Sequence, residues 1–406
     1  MSAQGTPGTN IALEEFVASA RSFLEAHYSP TSRGGDTFNW GEGSDEVRVF
    51  QEPDRLDEQR RVAEIREWRA TLWKAGYGWI SGPEECGGAG LPAAYQRAFE
   101  ALTREFDVPG DAMLTVGLGM VAPTILKHGT ESQKHTYLPA LYSGELIGCQ
   151  LFSEPGAGSD LAAVSTRAVR EGDDWVVSGQ KVWTSGAHLA DLGLVVCRTS
   201  DGPRHANLTT FLVDMHAPGV EVRPLRQMTG GAAFNEVFLT DVRIADGDRL
   251  DEVGRGWPVV VSTLGFERGA IGHSAFGGSG ILSTERLIAL TRSQAKQDDP
   301  VVRRAFGELV VNLRAARYTQ AVMGARRANG PELSVGKLKL SENMFRVGDY
   351  VSSVLGTKVI ADAGEWGTYA WSAVLLGAPG YRIGGGTDEI LKNVIAQRVL
   401  GLPRPR

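Results

Sequence analysis

The chain has 406 residues, 42% hydrophobic and 22% charged, a length and balance that fit a globular protein of two or three domains and exclude a disordered or fibrous one. Lys and Arg number 42 against 48 Asp and Glu, a net charge of −6, so neither nucleic acid nor an anionic membrane is expected as a partner. The widely spaced Cys86, Cys149 and Cys197 offer no disulfide framework or zinc knuckle. No apolar run reaches the roughly 18 residues that a membrane span needs. Met1–Asn10 lacks the basic-then-apolar pattern of a signal peptide, and the expected location is the cytoplasm.

From Leu13 the apolar set Leu13, Phe16, Val17, Ala20, Phe23 and Leu24 recurs at helical steps, with Glu14 and Glu15 where a helix dipole favours negative charge. Thr31 to Asp54 is rich in Gly, Asp, Ser and Thr and reads as a surface loop. Helical spacing resumes at Val62, Ile65, Trp68 and Leu72 and runs to about Gly144. Between Gly148 and Asp246 the texture changes to short runs, Trp175–Val177, Leu192–Cys197, Thr209–Val213, Val220–Val222 and Glu236–Leu239, punctuated by Gly, Asp and Pro turns. Such spacing predicts an antiparallel β domain. Pro258 suits the first turn of a helix, and Glu308–Arg327 reads as a long helix with Leu309, Val310 and Leu313 inward. The fold class is α+β, with a helical domain over 1–146, a β domain over 147–250 and a helical bundle over 251–406.

Two segments carry chemistry. Ser153-Glu154-Pro155-Gly156-Ala157-Gly158-Ser159-Asp160 sets three residues of little bulk between hydroxyls and carboxylates, a loop whose backbone can approach a ligand. Gly179-Gln180-Lys181-Val182-Trp183-Thr184-Ser185-Gly186 puts an indole beside two hydroxyls, which can cover a planar ligand and bond its edge. Taken singly, each also reads as an ordinary turn and a core aromatic. The seven His are scattered without paired ligand spacing, so no metal is expected.

In order, the two segments resemble the acyl-CoA dehydrogenase family. Leu138-Pro139-Ala140-Leu141-Tyr142-Ser143-Gly144-Glu145 and the C-terminal Gly385-Gly386-Thr387-Asp388-Glu389-Ile390 through Ile395–Pro403 look like further stretches of that family. The resemblance implies a middle β-barrel or sandwich, a C-terminal four-helix bundle and FAD between them. Phe152, Ser153, Gly158, Ser159, Trp183, Thr184, Ser185, Gly386, Thr387 and Glu389 match its cofactor contacts. Ser159, Arg268 and Gly385 match its substrate contacts. It also implies an acyl-CoA substrate, an electron-transfer flavoprotein as acceptor, and a homodimer or homotetramer. The family's reaction removes a proton from Cα of the thioester by a carboxylate while hydride leaves Cβ for flavin N5.

Many relatives carry that carboxylate in an E-G-T triplet, where this chain has Gly385-Gly386-Thr387. A glycine can polarise a carbonyl through its N–H but cannot accept a proton. Some branches place the Glu on the first long helix of the C-terminal domain, and the matching point here is Phe266-Glu267-Arg268. Glu267 is therefore the expected base, with Arg268 turned about 100° around the helix toward the coenzyme A arm. The R-x-x-F-G stretch that grips a neighbouring subunit's FAD is missing from Leu290–Pro300, and of Q-x-x-G-G-x-G only Gly356 is recognisable. Those departures leave open a mixed tetramer with a second acyl-CoA-dehydrogenase-like chain, a non-catalytic subunit, or a flavin oxidase or monooxygenase on the same fold.

Overall fold

In the computed structural model, residues 11–31, 38–47, 55–110, 112–274, 281–326 and 330–403 are described. Met1–Asn10, much of the predicted Thr31–Asp54 loop and the last residue of the predicted 308–327 helix lie outside them. The elements run α1 (Leu13–His27), α2 (Arg55–Lys74), α3 (Ala93–Thr103), α4 (Ala122–His128) and α5 (Glu131–Tyr142). Then come β1 (Gly148–Leu151), β2 (Arg167–Glu171), β3 (Asp174–Ser185), β4 (Leu192–Arg198), β5 (Leu208–Asp214), β6 (Val220–Leu225), β7 (Phe234–Ala245) and β8 (Arg249–Leu250). The rest is helical: α6 (Gly256–Ser274), α7 (Thr284–Ser293), α8 (Pro300–Ala325), α9 (Leu333–Leu355), α10 (Ser372–Ile383) and α11 (Asp388–Val394).

The chain divides into two compact units, one of Met1–Gly35, Pro53–Leu225 and Phe234–Thr263, the other of Asp36–Glu52, Arg226–Ala233 and Leu264–Arg406. Within the first, the spacing of α1 buries Phe16, Ala20 and Leu24 against Trp68 and Leu72 of α2 and Phe99 and Leu102 of α3. Full burial of each large apolar side chain contributes about 1.5–3 kcal/mol, so this stripe suffices to seat a 15-residue helix. Thr130 closes α5 with a reciprocal cap, accepting from Gln133 N while Gln133 Oε1 accepts from Thr130 N.

The sheet has the order β6-β7-β3-β2-β4-β5-β8, with β1 on β4. Every predicted run lies in a strand, but the pairing is not purely antiparallel: β1 lies parallel to β4, and β2 meets β4 in parallel at Arg167 and Arg198. Alternation along β3 and β7 buries Trp175, Val177, Val237, Leu239 and Val242, which pack with Phe211 and Val213 of β5. Cys149 and Cys197 fill this core as free thiols.

The second unit centres on α7, α8, α9 and α10, whose Leu287, Leu309, Leu313, Met344, Val347, Val351 and Val374 form one cluster with Trp371 at the N-cap of α10. Asp299 caps α8 by accepting from Val301 N and Val302 N, with Pro300 opening the helix as the missing N–H there permits. Arg286 in the same unit is buried, donates to the Asp45 and Glu46 carbonyls, and lies over the rings of Phe38 and Trp371.

Candidate functional site

The 153–160 loop is held from its carboxylate. Glu154 N donates to Ala157 O and Ala157 N to Glu154 O, both at 3.0 Å, which closes the Pro155-Gly156 turn. The Glu154 carboxylate is buried and accepts from Ser165 N (2.6 Å), Ser165 Oγ (2.7 Å) and Thr166 N (2.9 Å). Its fourth partner is the fully buried Lys181 ammonium at 2.8 Å, which also donates to the carbonyls of Phe152 (3.2 Å) and Val196 (2.8 Å). Val182 N donates to Ser153 O at 2.9 Å. The two sequence segments are thus one construction, bolted by an ion pair with one partner from each.

Burial alone pushes the Glu154 carboxyl up, but the Lys181 charge and the hydrogen bonds from Lys181, Thr166 and Ser165 outweigh it and bring it down to about 2. Burial lowers the Lys181 ammonium, while Cys197 and Glu154 pull the other way. With this many donors on one carboxylate, the pair is ionised at neutral pH.

What the pair supports is open to solvent. Gly158, Ser159, Trp183 and Ser185 are exposed, and added side-chain carbons at Gly156 and Gly158 would meet nothing within 4 Å. Neither glycine has the positive φ that demands one, so the free space beside them is available to a ligand. Trp183 is more telling. Val182 and Trp183 form a bulge against β7, between the pairs Lys181–Val237 and Thr184–Asn235. Trp183 there has φ 61° and is 56% exposed. A left-handed, solvated tryptophan forgoes both backbone ease, about 1–2 kcal/mol, and burial of its ring. Its recorded ring contact is an edge-to-face one with Phe234, centroids 5.9 Å apart. Backbone strain of this kind clusters at functional sites.

Three residues behind Trp183 were not singled out in the sequence. Buried Asn235 donates from Nδ2 to Thr184 O (3.1 Å) and to His188 Nδ1 (3.2 Å), which leaves the His188 proton on Nε2, 2.9 Å from Glu58 Oε2. This chain fixes the strand end that carries Thr184 and Ser185. Glu58 and His188 are 130 positions apart, and no local pattern announces them. Thr184 Oγ1 is itself buried without a hydrogen-bond partner. Phe152 is buried, so its ring belongs to the core while its carbonyl meets Lys181. Another polar triplet, Ser262, His128 and Asp251 (2.9 and 3.2 Å), ties α4 to α6, and Lys127 Nζ donates to the same Ser262 hydroxyl at 3.0 Å.

In the second unit Glu267 and Arg268 lie on α6, both half-buried. Arg268 Nε is shielded without a hydrogen-bond partner. Burial lowers the affinity of this guanidinium for its proton, the Glu267 charge raises it and Arg398 lowers it. Gly385 and Gly386 have φ 67° and 88°, consecutive left-handed residues that glycine alone adopts without strain. Thr387 is the N-cap of α11, its Oγ1 accepting from Ile390 N at 3.2 Å, and Glu389 is exposed. A separate cleft of about 520 Å3 lies on the first unit, lined by Arg66, Trp73, Lys74, Pro139 and Glu145 among others. None of the predicted site residues lines it. Among the described residues no cluster of three His, Cys, Asp or Glu is arranged to hold a metal, and no helix is long and apolar enough to cross a membrane.

Residues 44–145, 149–242 and 254–400 match the models of the acyl-CoA dehydrogenase N-terminal, middle and C-terminal domains. The chain is 39% identical over 353 residues to acyl-CoA dehydrogenase IpdE1 of Mycobacterium tuberculosis, covering 86% of this chain and 90% of that protein. Among solved structures, it resembles the Tcur3481-Tcur3483 steroid ACAD at a TM-score of 0.73 and 27% identity, with both chains covered in full. The ChsE4-ChsE5 complex from Mycobacterium tuberculosis follows at 0.71 and 25%, again over both whole chains. The helical ends, the middle sheet and the matches along the whole chain lead to one family: this protein is an acyl-CoA dehydrogenase family member.

Proposed function

We propose that this protein oxidises the Cα–Cβ bond of a coenzyme A thioester, with Glu267 taking the α-proton. The observation that carries this reading is the strained, exposed Trp183, two residues beyond Lys181 of the Glu154–Lys181 pair. A platform of this kind, with Ser185 beside it and open space along Gly156 and Gly158, fits a flat cofactor. FAD is the group the family implies; when bound it supplies the acceptor for the β-hydrogen as hydride. Phe152 and Ser153 through their backbone, Gly158, Ser159, Trp183, Thr184 and Ser185 would hold it; Gly386, Thr387 and Glu389 match the family's further cofactor contacts.

Glu267 is the proton acceptor because Gly385 has no side chain at the alternative position. An α-proton of a thioester becomes acidic enough for a carboxylate only if the carbonyl oxygen is polarised, a task we assign to the Gly385 N–H. Arg268, with its shielded and unpartnered Nε, is assigned to the coenzyme A arm, and Ser159 matches a further family contact to it. The domain division of 1–146, 147–250 and 251–406 goes with this assignment.

The named likenesses to a steroid ACAD and to the ChsE4-ChsE5 complex support a bulky acyl group and a mixed tetramer with a second chain of this family. An electron-transfer flavoprotein is the acceptor, and the reaction belongs in the cytoplasm. The test is anaerobic addition of acyl-CoAs from short linear to polycyclic to the FAD-loaded protein, alone or with its partner chain. Bleaching of the flavin with formation of the 2-enoyl-CoA is expected, strongest for bulky acyl groups. A loaded flavin that no acyl-CoA bleaches refutes the proposal, and fast oxygen consumption without an acceptor protein points to an oxidase instead.

Trp183 gives an independent check. Trp183→Gly should weaken FAD binding by about tenfold, the worth of one aromatic stack, while leaving the melting temperature of the flavin-free chain unchanged or higher, because glycine relieves the left-handed strain. A lowered melting temperature with unaltered FAD affinity would make Trp183 a packing residue only.

A further inference from the structure

Behind the Gly385-Gly386 turn lies a buried charge cluster that the functional reading has not used. Lys337 on α9 is 1% exposed, and its ammonium donates to the Gly386 carbonyl at 2.7 Å. It also lies 3.5 Å from Oδ1 of Asp388, itself 2% exposed. Asp388 Oδ1 accepts from fully buried Ser341 Oγ (2.7 Å), one turn along α9 from Lys337, and Oδ2 accepts from Arg382 Nε (2.9 Å). The turn is therefore gripped on both sides of Thr387, at the carbonyl before it and the carboxylate after it.

An ammonium removed from water is expensive unless it is paired, and a packing role alone would be filled by Met or Leu at position 337. Burial lowers the proton affinity of Lys337, whereas Asp388, Glu267 and Glu389 raise it.

We propose that Lys337 is a positioning residue that fixes the Gly385-Gly386 turn through the Gly386 carbonyl. This rests on the dehydrogenase reading above, in which Gly385 polarises the thioester and Glu267 accepts the proton. The turn has two left-handed residues and no side chain of its own before Thr387, so its aim depends on what holds its carbonyl.

The test uses the FAD-loaded protein, with its partner chain if FAD requires one, carrying Lys337→Gln. Amide hydrogen exchange in the 384–391 segment should quicken at least tenfold. The limiting rate of anaerobic flavin bleaching by the best acyl-CoA should fall about 100-fold, the scale of a small misplacement at a reacting centre, with acyl-CoA affinity changed much less. Unchanged exchange overturns the proposal, as does quickened exchange with a wild-type rate. Lys337→Arg keeps a cationic donor for the Gly386 carbonyl and should hold both exchange and rate near wild type; quickened exchange in this variant also overturns it, and this arm decides the matter if Lys337→Gln does not fold. If the wild-type flavin is bleached by no acyl-CoA, the dehydrogenase reading fails, while the exchange experiment still shows whether Lys337 holds the turn.

Discussion

Glu267→Gln is expected to retain FAD and acyl-CoA binding and to lose between about 100- and 10,000-fold in the limiting rate of flavin bleaching, the range that a positioned general base contributes. The substitution is nearly isosteric and removes one negative charge from a half-buried stretch of α6. Two cations then change their surroundings: the Glu267 charge supports the proton on both Arg268 and Lys337, so both are left less well compensated. Acyl-CoA affinity should therefore hold or improve, since the phosphates of coenzyme A meet a more positive field. A lowered rate with intact affinity marks a group that acts in the transition state rather than in ground-state binding. Should the variant bleach as fast as wild type, Glu267 is not the base, and Gly385 cannot be. The acid would then have to come from elsewhere, and a role without proton abstraction would gain weight.

The amphipathic repeats were legible because one stripe of each helix turns inward: Phe16, Ala20 and Leu24 in α1, and Ile65, Trp68 and Leu72 in α2. The strand runs were legible for the same reason at period two. The parallel contacts β1–β4 and β2–β4 were not, since register between distant segments depends on tertiary packing that local pattern does not record. The candidate site divides the same way. Trp183 and the 153–160 loop stand out as composition, but the reason for their shape lies in Lys181 and Glu154, 27 positions apart. Sequence shows a lysine between Gln180 and Val182; the structure shows that its ammonium is fully buried. Lys337 and Asp388 are 51 positions apart, and each taken alone reads as a charge on an exposed helix face.

Removing half of the Glu154–Lys181 pair should have the largest effect on stability. Lys181→Met leaves the Glu154 carboxylate buried with the donors of Ser165 and Thr166 but no cation, and breaking a buried pair in this way costs about 3–5 kcal/mol. The loss should appear as a lower urea midpoint at pH 7 and a looser 153–160 loop. Glu154→Gln has the converse defect, an ammonium left with two carbonyls and an amide. The double variant Lys181→Met/Glu154→Gln should be less damaged than the two single losses summed, since no unpaired charge remains. The pH dependence follows from the sign of the shift. The wild-type Glu154 carboxyl lies near about 2 against an ordinary 4.5, so its contribution is complete above that ordinary value and disappears as pH falls from there toward 2. Without Lys181 the burial that pushes this carboxyl up is less opposed, and protonation relieves the stranded charge. The deficit of Lys181→Met relative to wild type should therefore narrow as pH is lowered from 7 toward 4.5. A deficit under about 1 kcal/mol at pH 7, the worth of an ordinary surface pair, or one that widens on acidification, would mean that the pair is not what locks the loop.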